Sequence, residues 1–237
     1  MNKFNQDFLT IAFCSKDEEV LMHEIKTLKY SKTLETIAQN LGCKQLIVLD
    51  QTHSNIGYCV ETLNLQNRSS WFEYSGDFLI TNSKDIALVV LTADCTPIII
   101  YDPIHQCTTL VHSGWKGTYA NIMSKAIEMM QQQYQTKIND LLIYFGPSAR
   151  NCCYQVSNNF YNDFKKYPWA NSSFIKKNEN WYFDNINFLK NQVFLMGVPL
   201  QNISTQHGAC TICSTQFCSF RREQDKIGRQ ATIVKLN

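Results

Sequence analysis

Short apolar runs alternate with amphipathic stretches along the chain, and this alternation predicts a layered mixture of strands and helices. From residue 76 to residue 113 the runs are rich in β-branched residues and bounded by Asn, Asp, Pro or Gly, which is typical of buried strands. The strands predicted there are 77–82 (DFLITN), 86–92 (IALVVLT), 97–102 (PIIIYD) and 108–113 (TTLVHS). Further strands are predicted at 45–49 (QLIVL), 141–148 (LLIYFGPS), 181–184 (WYFD) and 231–236 (ATIVKL).

Helical periodicity marks the segments between these strands. Apolar residues recur every three or four positions in residues 17–42, and Gly42 ends this segment as the expected cap. Thr118 is the expected N-terminal cap of a later helix. The later helices predicted by the same spacing are 119–134, 158–166 and 185–196. Because helices and strands alternate, the predicted fold class is α/β or α+β, built from packed layers.

Composition and charge exclude several classes of protein. No internal repeat, low-complexity segment or linker divides the 237 residues, so a single domain over 1–237 is expected. The 22 Lys and Arg residues nearly balance the 20 Asp and Glu residues without any run of like charges, so nucleic acid is not an expected partner. The sequence has no apolar window of about 18 residues and no signal peptide. We therefore expect no membrane partner and a cytoplasmic location.

Ten cysteines require an explanation in such a chain. A reducing compartment argues against a disulfide framework. Most of the cysteines are therefore expected to be buried apolar thiols, with one or two acting chemically as thiolates.

Three residues are candidates for chemistry because they occupy the ends of predicted strands. His53 follows the strand at 45–49, Cys95 follows the strand at 86–92, and His112 lies at the end of a third strand. Each alone is as readily an ordinary packed residue. Together, two histidines and one cysteine are a typical ligand set for a zinc ion that keeps one coordination position open. Such an ion activates a bound water molecule near neutral pH. His53 and Cys95 are 42 residues apart, and Cys95 and His112 are 17 apart, so only a tertiary fold can bring them together.

A rival zinc site is conceivable in residues 206–218 (QHGACTICSTQFC), where a C-x-x-C motif has further donors nearby. The donors are His207, Cys210, Cys213 and Cys218. No second C-x-x-C matches this motif, because Cys152 and Cys153 are adjacent and would point apart on an extended chain. Packed thiols under a C-terminal loop are the favoured interpretation.

Two segments offer positive charge for an anion. The turn HSGWKG leads into a helix, so backbone N–H groups and Lys116 together suit a phosphate or carboxylate. Near the C-terminus Arg221, Arg222 and Arg229 lie close in sequence, and at least one of them can form a bidentate clamp on phosphate. A solvated loop is an equally good interpretation of these arginines.

Six sequence motifs resemble those of a known family. They are 49–55 (LDQTHSN), 75–82 (SGDFLITN), 91–102 (LTADCTPIIIYD), 111–117 (VHSGWKG), 145–156 (FGPSARNCCYQV) and 219–230 (SFRREQDKIGRQ). In order and approximate spacing they resemble the YfiH-like proteins, also called the laccase-domain or multicopper polyphenol oxidase family, which are regarded as purine nucleoside phosphorylases. The pattern TADC-x-P followed by H-x-GW-x-G is the most specific part.

The resemblance implies a single α/β/β/α-type layered domain with mixed sheets, similar to the fold of a deamidating bacterial toxin of the CNF type. It implies a zinc ion on His53, Cys95 and His112. The implied reaction is phosphorolysis of adenosine, inosine, guanosine and S-methyl-5'-thioadenosine, with adenosine deamination as a second activity. The oxidase name suggests copper, but three ligands and a few scattered histidines cannot build a multicopper cluster.

The chain departs from the family pattern at a few positions. Ser113 and Lys116 stand where family members usually have Ala and Arg, and Phe78 replaces a common Ala. Lys116 keeps the positive charge but lacks the planar fork of an arginine. Arg222 and Arg229 match the R-R…G-R pattern at the end of the family sequences.

The mechanism expected from these residues has zinc polarising an attacking water or phosphate. Lys116 and Arg222, with Arg229 near them, steady the anion, and Asp94 orients the reactants or shuttles a proton. The expected partners are purine nucleosides and phosphate. One alternative is a metal-free hydrolase of an amide or acyl substrate, with Cys95 as nucleophile and His112 as base. The other is a non-enzymatic binding protein in which zinc only stabilises the fold.

Overall fold

The computed structural model describes residues 2–6, 8–28, 31–65, 69–224 and 228–237. The strands within these ranges are β1 (Asn2–Gln6), β2 (Leu9–Phe13), β3 (Gln45–Asp50), β4 (Gly57–Cys59), β5 (Ser70–Ser75), β6 (Phe78–Thr81), β7 (Ile86–Thr92), β8 (Thr96–Asp102), β9 (Cys107–Ser113), β10 (Leu142–Phe145), β11 (Gln155–Val156), β12 (Phe174–Lys177), β13 (Asn180–Phe183), β14 (Ile203–Ser204) and β15 (Gln230–Leu236).

The α-helices in the same ranges are mostly short. They are α1 (Met22–Leu28), α2 (Lys32–Leu41), α3 (Trp115–Tyr119), α4 (Ile122–Tyr134), α5 (Asn158–Phe164), α6 (Asn185–Leu195) and α7 (Phe220–Glu223). Among the described residues, none of the helices combines the length and the apolar character needed to cross a membrane.

Two six-stranded sheets and one small sheet organise the described part of the chain. Strand order is β1-β2-β15-β7-β3-β5 in the first sheet, β14-β10-β8-β9-β6-β4 in the second and β11-β13-β12 in the third. In the first sheet β3 runs parallel to β5 and β7, whereas the other neighbours are antiparallel. In the second sheet the outer pairs β10/β14 and β4/β6 are parallel and the inner pairs are antiparallel. Both large sheets are therefore mixed.

The two large sheets pack face to face, and each carries helices on its outer face. In β7, Leu88 and Val90 point into the core between the sheets, while Ala87 and Val89 pack with residues of α1 and α2. In β8 alternate residues likewise divide between the core shared by the sheets and the core beneath α4 and α6. Strands covered on both faces read as continuous apolar runs. The predicted α/β/β/α layering and mixed sheets are confirmed.

Most predicted elements are found with small shifts, and β7 begins and ends at the predicted residues. The helical segment predicted over residues 17–42 is divided into α1 and α2. Gly42 caps α2 as predicted: it has φ 61°, and its N–H donates to the carbonyls of Ala38 and Gln39. The left-handed conformation is one that glycine adopts without strain.

The helix predicted over residues 119–134 is wrong in its first turn. The chain enters a helix earlier, at α3, and breaks at Asn121, which has φ 59° and precedes α4. Thr118 is therefore not a cap. It is buried within α3, and its hydroxyl donates to Oδ1 of Asn185 over 2.8 Å. Tertiary hydrogen bonding to α6 thus overrides the local capping preference of threonine.

Strand directions bring distant residues to one edge of the double sheet. Because β3 and β7 are parallel, the loops that follow them, which carry His53 and Cys95, leave the first sheet at the same edge. In the second sheet His112 pairs with Pro97, so the end of β9 lies beside the turn of Cys95. Loops at the carboxyl ends of parallel strands are a usual place for functional sites.

Candidate metal centre

Three side chains predicted as ligands meet at this edge. One donor atom each of His53, Cys95 and His112 lies within 4.8 Å of the other two. The Sγ atom of Cys95 is 3.6 Å from Nε2 of His53. The two imidazole rings lie edge to face with centroids 4.9 Å apart. The structure therefore brings together the full donor set that the sequence predicts.

A buried carboxylate, Asp77, holds two of these residues in place. Asp77 precedes β6 and is fully buried. Its Oδ1 accepts hydrogen bonds from the N–H of His53 over 3.0 Å and from Nδ1 of His112 over 2.8 Å. Its Oδ2 accepts from the N–H and hydroxyl of Ser54, over 2.6 and 2.7 Å, and from Thr52. Since Nδ1 of His112 faces Asp77, Nε2 is the nitrogen left to bind a ligand.

Electrostatic interactions within the group favour a thiolate. Burial alone would raise the pKa of the Cys95 thiol, but the imidazoles of His112 and His53 lower it to about 6. Burial would lower the pKa of His112, but Cys95 and Asp77 raise it to about 9. Desolvation also opposes ionisation of Asp77, yet the hydrogen bonds from His112 and Ser54 lower its pKa to about 2. A thiolate is the form of cysteine that binds metals and attacks electrophiles.

The backbone around the three donors is unusually constrained. His53 and Asp94 have φ values of 60° and 89°, which non-glycine residues rarely adopt. Such conformations cost roughly 1–3 kcal/mol each and persist where surrounding contacts fix them. Gly114 allows the close approach of the donors, because a Cβ atom there would lie 2.7 Å from Cδ2 of His53 and 3.1 Å from Sγ of Cys95.

A cavity of about 600 Å³ opens beside the three donors. This volume is within the range of small-molecule sites, about 300–1,000 Å³. Aromatic side chains on its wall include Trp115, Tyr154 and Phe220, and Trp115 and Phe220 are 42% and 46% exposed. The cationic side chains on its wall are Lys26, Lys116, Arg221 and Arg229.

Three of the four candidate anion-binding residues reach the cavity. Nζ of Lys116 lies 5.7 Å from the ring centroid of Trp115, and Cζ of Arg229 lies 5.9 Å from that of Phe220. Arg221 also reaches the cavity, with its Cζ 5.1 Å from the ring centroid of Tyr154.

Arg222 does not line the cavity within the described ranges. Its guanidinium donates to the carbonyl oxygens of Thr211, Ile212, Ser214 and Phe217 and to the carboxylate of Glu223. Neighbouring residues of a short helix point in different directions, so sequence adjacency does not show which of Arg221 and Arg222 faces the site.

Asp94 lies on the wall of the cavity, but both of its carboxylate oxygens are already engaged. Oδ1 accepts from Oγ1 of Thr211 and Oδ2 accepts from the N–H of Arg221, each over 2.6 Å. The backbone carbonyl of Asp94 accepts from the N–H of Ala149 over 2.9 Å. Asp94 therefore connects the turn of Cys95 to two neighbouring loops, which suits a positioning residue.

Two residues that shape the site were missed by the sequence analysis. Asp77 has a recognisable signal, since it is a charged residue directly before a buried strand that begins with three apolar residues. Asn185 has no such signal in the sequence. Its Nδ2 donates to Oγ1 of Thr96 over 2.9 Å and to the carbonyl of Ser113 over 3.0 Å. These bonds fix the ends of β8 and β9 beside the cavity.

The rival donor set considered in residues 206–218 is not formed by those residues alone, and the favoured interpretation as packed thiols holds for buried Cys218 but not for exposed Cys213. Cys218 is fully buried and packs against Ala93, and the His207 ring lies 5.2 Å from that of Phe13. Cys210 and Cys213 instead lie close to Cys152 and Cys153. The expectation that Cys152 and Cys153 point apart is wrong, because they lie in a turn and not on an extended chain.

Other histidines do not join the three donors in the part of the chain that is described. Nδ1 of His105 is bonded to Asp102 over 2.7 Å, and His207 packs near Phe13. The described residues thus contain no group of histidines that would suit a multicopper cluster.

Comparison with known proteins gives matches over most of the chain. Residues 27–237 match the model of a family described as multi-copper polyphenol oxidoreductase laccase. A purine nucleoside phosphorylase of Borreliella burgdorferi is 36% identical over 185 residues, which are 76% of this chain and 75% of that protein. A purine nucleoside phosphorylase of Clostridium acetobutylicum is 30% identical over 236 residues, which are 98% of this chain and 94% of that protein.

Solved structures show the same architecture. The hypothetical protein YfiH of Bacillus licheniformis superposes with a TM-score of 0.83 at 22% identity, covering 97% of this chain and 93% of that one. YlmD from Geobacillus stearothermophilus gives a TM-score of 0.81 at 19% identity, covering 97% and 91%. At these identities the likeness concerns the fold.

Protonation of Asp77 provides a test of its supporting role. Because its pKa is lowered from 3.8 to about 2 in the folded chain, its contribution to stability is present above the unfolded pKa and is lost as the pH falls through about 2. We expect Asp77→Asn to lower the free energy of unfolding at pH 7. The difference from the unsubstituted protein should shrink by about 2 kcal/mol between about pH 5 and pH 2. Urea titrations at several pH values measure this difference.

Asp85→Asn is the matched control, since the Asp85 side chain is 62% exposed. This variant should differ little from the unsubstituted protein at any of these pH values. A destabilisation by Asp77→Asn that does not change with pH would contradict the role given to the Asp77 charge.

Proposed function

Because the chain belongs to the family described as multi-copper polyphenol oxidoreductase laccase, we propose that it is a zinc-dependent purine nucleoside phosphorylase, the activity named for its relatives. The substrates proposed are adenosine, inosine, guanosine and S-methyl-5'-thioadenosine, with adenosine deamination as a second reaction. The observation that carries the proposal is the meeting of His53, Cys95 and His112 on the wall of a cavity that also bears cationic and aromatic side chains. The predicted resemblance to this family is confirmed.

The donor set fits a catalytic zinc ion. Two imidazoles and one thiolate leave one coordination position for a reactant. The low pKa of Cys95 and the hydrogen bond between His112 and Asp77 prepare both side chains as ligands. A zinc ion bound there would act as a Lewis acid and polarise an oxygen atom of the reactant.

The cationic side chains suit inorganic phosphate. Lys116 follows His112 by four residues, lies at the start of α3 and lines the same cavity as the three donors. Arg221 and Arg229 bring further positive charge to the same cavity. Charged hydrogen bonds from such groups orient a phosphate and neutralise its charge. The guanidinium of Arg222 donates to loop carbonyls, so we propose that Arg222 stabilises this loop and does not bind phosphate directly.

The aromatic side chains suit the purine. Half-exposed Trp115 and Phe220 on the cavity wall offer flat surfaces against which a base can stack. Burial raises the pKa of Tyr154 to about 12, so its phenol keeps its proton at neutral pH and can donate a hydrogen bond to the base. In phosphorolysis the bond between the sugar carbon and the base nitrogen breaks, and a carbon–oxygen bond to phosphate forms. The leaving base takes up a proton.

Removal of a donor is expected to remove both metal and activity. Cys95→Ala and His53→Ala should each lose one zinc ion per chain and reduce the release of hypoxanthine and ribose 1-phosphate from inosine by at least about 100-fold. Elemental analysis and a product assay measure the two effects. His23→Ala, on an exposed helical position, is the control and should keep both. Copper in place of zinc, or an active Cys95→Ala, would contradict the proposal.

Lys116 is expected to act on phosphate and not on the nucleoside. Loss of a charged hydrogen bond of about 1.5–3 kcal/mol should raise the KM for phosphate by roughly 10- to 100-fold in Lys116→Ala, with a small change in the KM for inosine. Lys116→Arg restores the charge, and exposed Lys125→Ala is the control. Equal changes in both KM values would show that Lys116 has no particular role with phosphate. Steady-state kinetics with each substrate varied in turn gives the answer.

A metal-free cysteine hydrolase is the second candidate, and one observation favours it. Cys95, His112 and Asp77 stand in the order of a nucleophile, its base and an orienting carboxylate, with the thiol pKa lowered to about 6. Such a group can attack an amide or acyl carbonyl without a metal.

Alkylation of Cys95 separates the two candidates. A zinc-bound thiolate should resist iodoacetamide until a chelator is added, whereas a free thiolate of pKa about 6 should react at once at pH 7. Mass spectrometry of the peptide that contains Cys95 measures the rate. Buried Cys14 is the internal control and should stay unlabelled in the folded protein. Rapid labelling of the zinc-loaded protein would favour the hydrolase.

A further inference from the structure

A group of four cysteines lies outside the centre described above. Cys152 and Cys153 belong to the loop between β10 and β11, and Cys210 and Cys213 belong to the loop between β14 and α7. All four sulfur atoms lie within 4.8 Å of one another. Sγ of Cys213 is 3.3 Å from Sγ of Cys152 and 2.6 Å from Sγ of Cys153.

We propose that Cys152, Cys153, Cys210 and Cys213 form a second zinc site, in which four thiolates close the coordination shell and the metal has a structural role. Four sulfur ligands are the donor set of structural zinc, with Zn–S distances of about 2.3 Å. In a regular tetrahedron of that size the sulfur atoms are about 3.8 Å apart, which the observed grouping can accommodate. Cys153 and Cys213 separate by roughly 1 Å to reach it, which partly exposed side chains can do.

Backbone turns explain how adjacent cysteines reach one point. The N–H groups of Cys153 and Tyr154 both donate to the carbonyl of Arg150, over 3.0 and 2.8 Å. This turn replaces the extended geometry in which successive side chains diverge. In the other loop the N–H of Ser214 donates to the carbonyl of Cys210 over 3.1 Å. Each loop therefore presents its two sulfur atoms from a hydrogen-bonded turn.

Hydrogen bonds between the two loops hold these turns side by side. The N–H of Ser148 donates to the carbonyl of Ala209 over 3.0 Å, and the N–H of Thr211 donates to the carbonyl of Ser148 over 3.1 Å. Ser148 and Cys210 also form an isolated parallel bridge. The approach of the four sulfur atoms is thus built into the backbone, and a metal that binds there finds its ligands already gathered.

One positive charge lies beside the cluster. Thiols release their protons when they bind zinc, so four bound cysteines carry four negative charges. Nζ of Lys177 lies 3.4 Å from the carbonyl oxygens of Asn151 and Cys152, and its charge offsets the excess negative charge of four thiolates around one zinc ion.

The position of the cluster gives it a consequence for the cavity. The same two loops supply the N–H of Ala149 and the hydroxyl of Thr211 that hold Asp94. Tyr154, which lines the cavity, directly follows Cys153. A zinc ion that ties the two loops together therefore stabilises one wall of the cavity without contacting the substrate.

The test counts metal ions, so its outcome does not depend on any enzymatic activity. The unsubstituted protein, purified without chelator, should contain two zinc ions per chain, and Cys95→Ala and His53→Ala should each retain one. Adding Cys213→Ser to either variant should remove the remaining ion. Cys43→Ser is the control. Because Cys43 lies outside the cluster, this variant should still contain two zinc ions per chain.

Cobalt gives a second measurement that needs no substitution in the cluster. Cys95→Ala loaded with Co²⁺ should show the strong sulfur-to-cobalt charge-transfer absorption of four thiolates, and a mercurial that modifies thiols should abolish it. Absence of zinc from both Cys95→Ala and His53→Ala would overturn the proposal. A disulfide between Cys153 and Cys213, found by mapping the alkylated protein without reduction, would overturn it as well and identify a redox pair.

Discussion

The candidate metal centre depends on one buried carboxylate. Asp77 lies directly before a strand of the second sheet. Its carboxylate accepts hydrogen bonds from backbone N–H groups of the loop that carries His53, which leaves the first sheet, and from the ring of His112. A charge removed from water is costly unless hydrogen bonds compensate it, and this one receives them from both sheets. The same hydrogen bonds therefore compensate the burial of the Asp77 charge and position the two histidines. Without the Asp77 side chain, the loop in which His53 has φ 60° would lose these hydrogen-bond acceptors.

The layered fold makes this arrangement possible. Two sheets packed face to face place the loops after β3 and β7 at one edge, where the end of β9 also lies. His53 and Cys95 come from two loops and His112 from the end of β9, and the strands next to them are buried on both faces. Small residues complete the arrangement, since Gly114 leaves space that His53 and Cys95 fill. A rigid scaffold with functional loops at one edge is how such a fold supports chemistry.

The sequence predicts the parts of this structure that follow from local pattern. Strand β7 is found at its predicted residues, because a continuous run of β-branched and aliphatic residues suits a strand covered on both faces. The grouping of His53, Cys95 and His112 was predictable from strand-end position and donor chemistry. What pattern cannot show is orientation set by tertiary contacts. Arg222 turns to loop carbonyls whereas Arg221 reaches the cavity, and the cysteine pair at 152–153 converges because of a turn whose hydrogen bonds no periodicity reveals.

The central claim is that three distant side chains share one zinc ion. A crystal structure of the purified protein, with anomalous diffraction recorded on both sides of the zinc absorption edge, tests it most directly. The account predicts an anomalous peak, present only above the edge, about 2.0–2.3 Å from Nε2 of His53, Nε2 of His112 and Sγ of Cys95. A map without a peak between these atoms, in a crystal of protein purified without chelator, would contradict it.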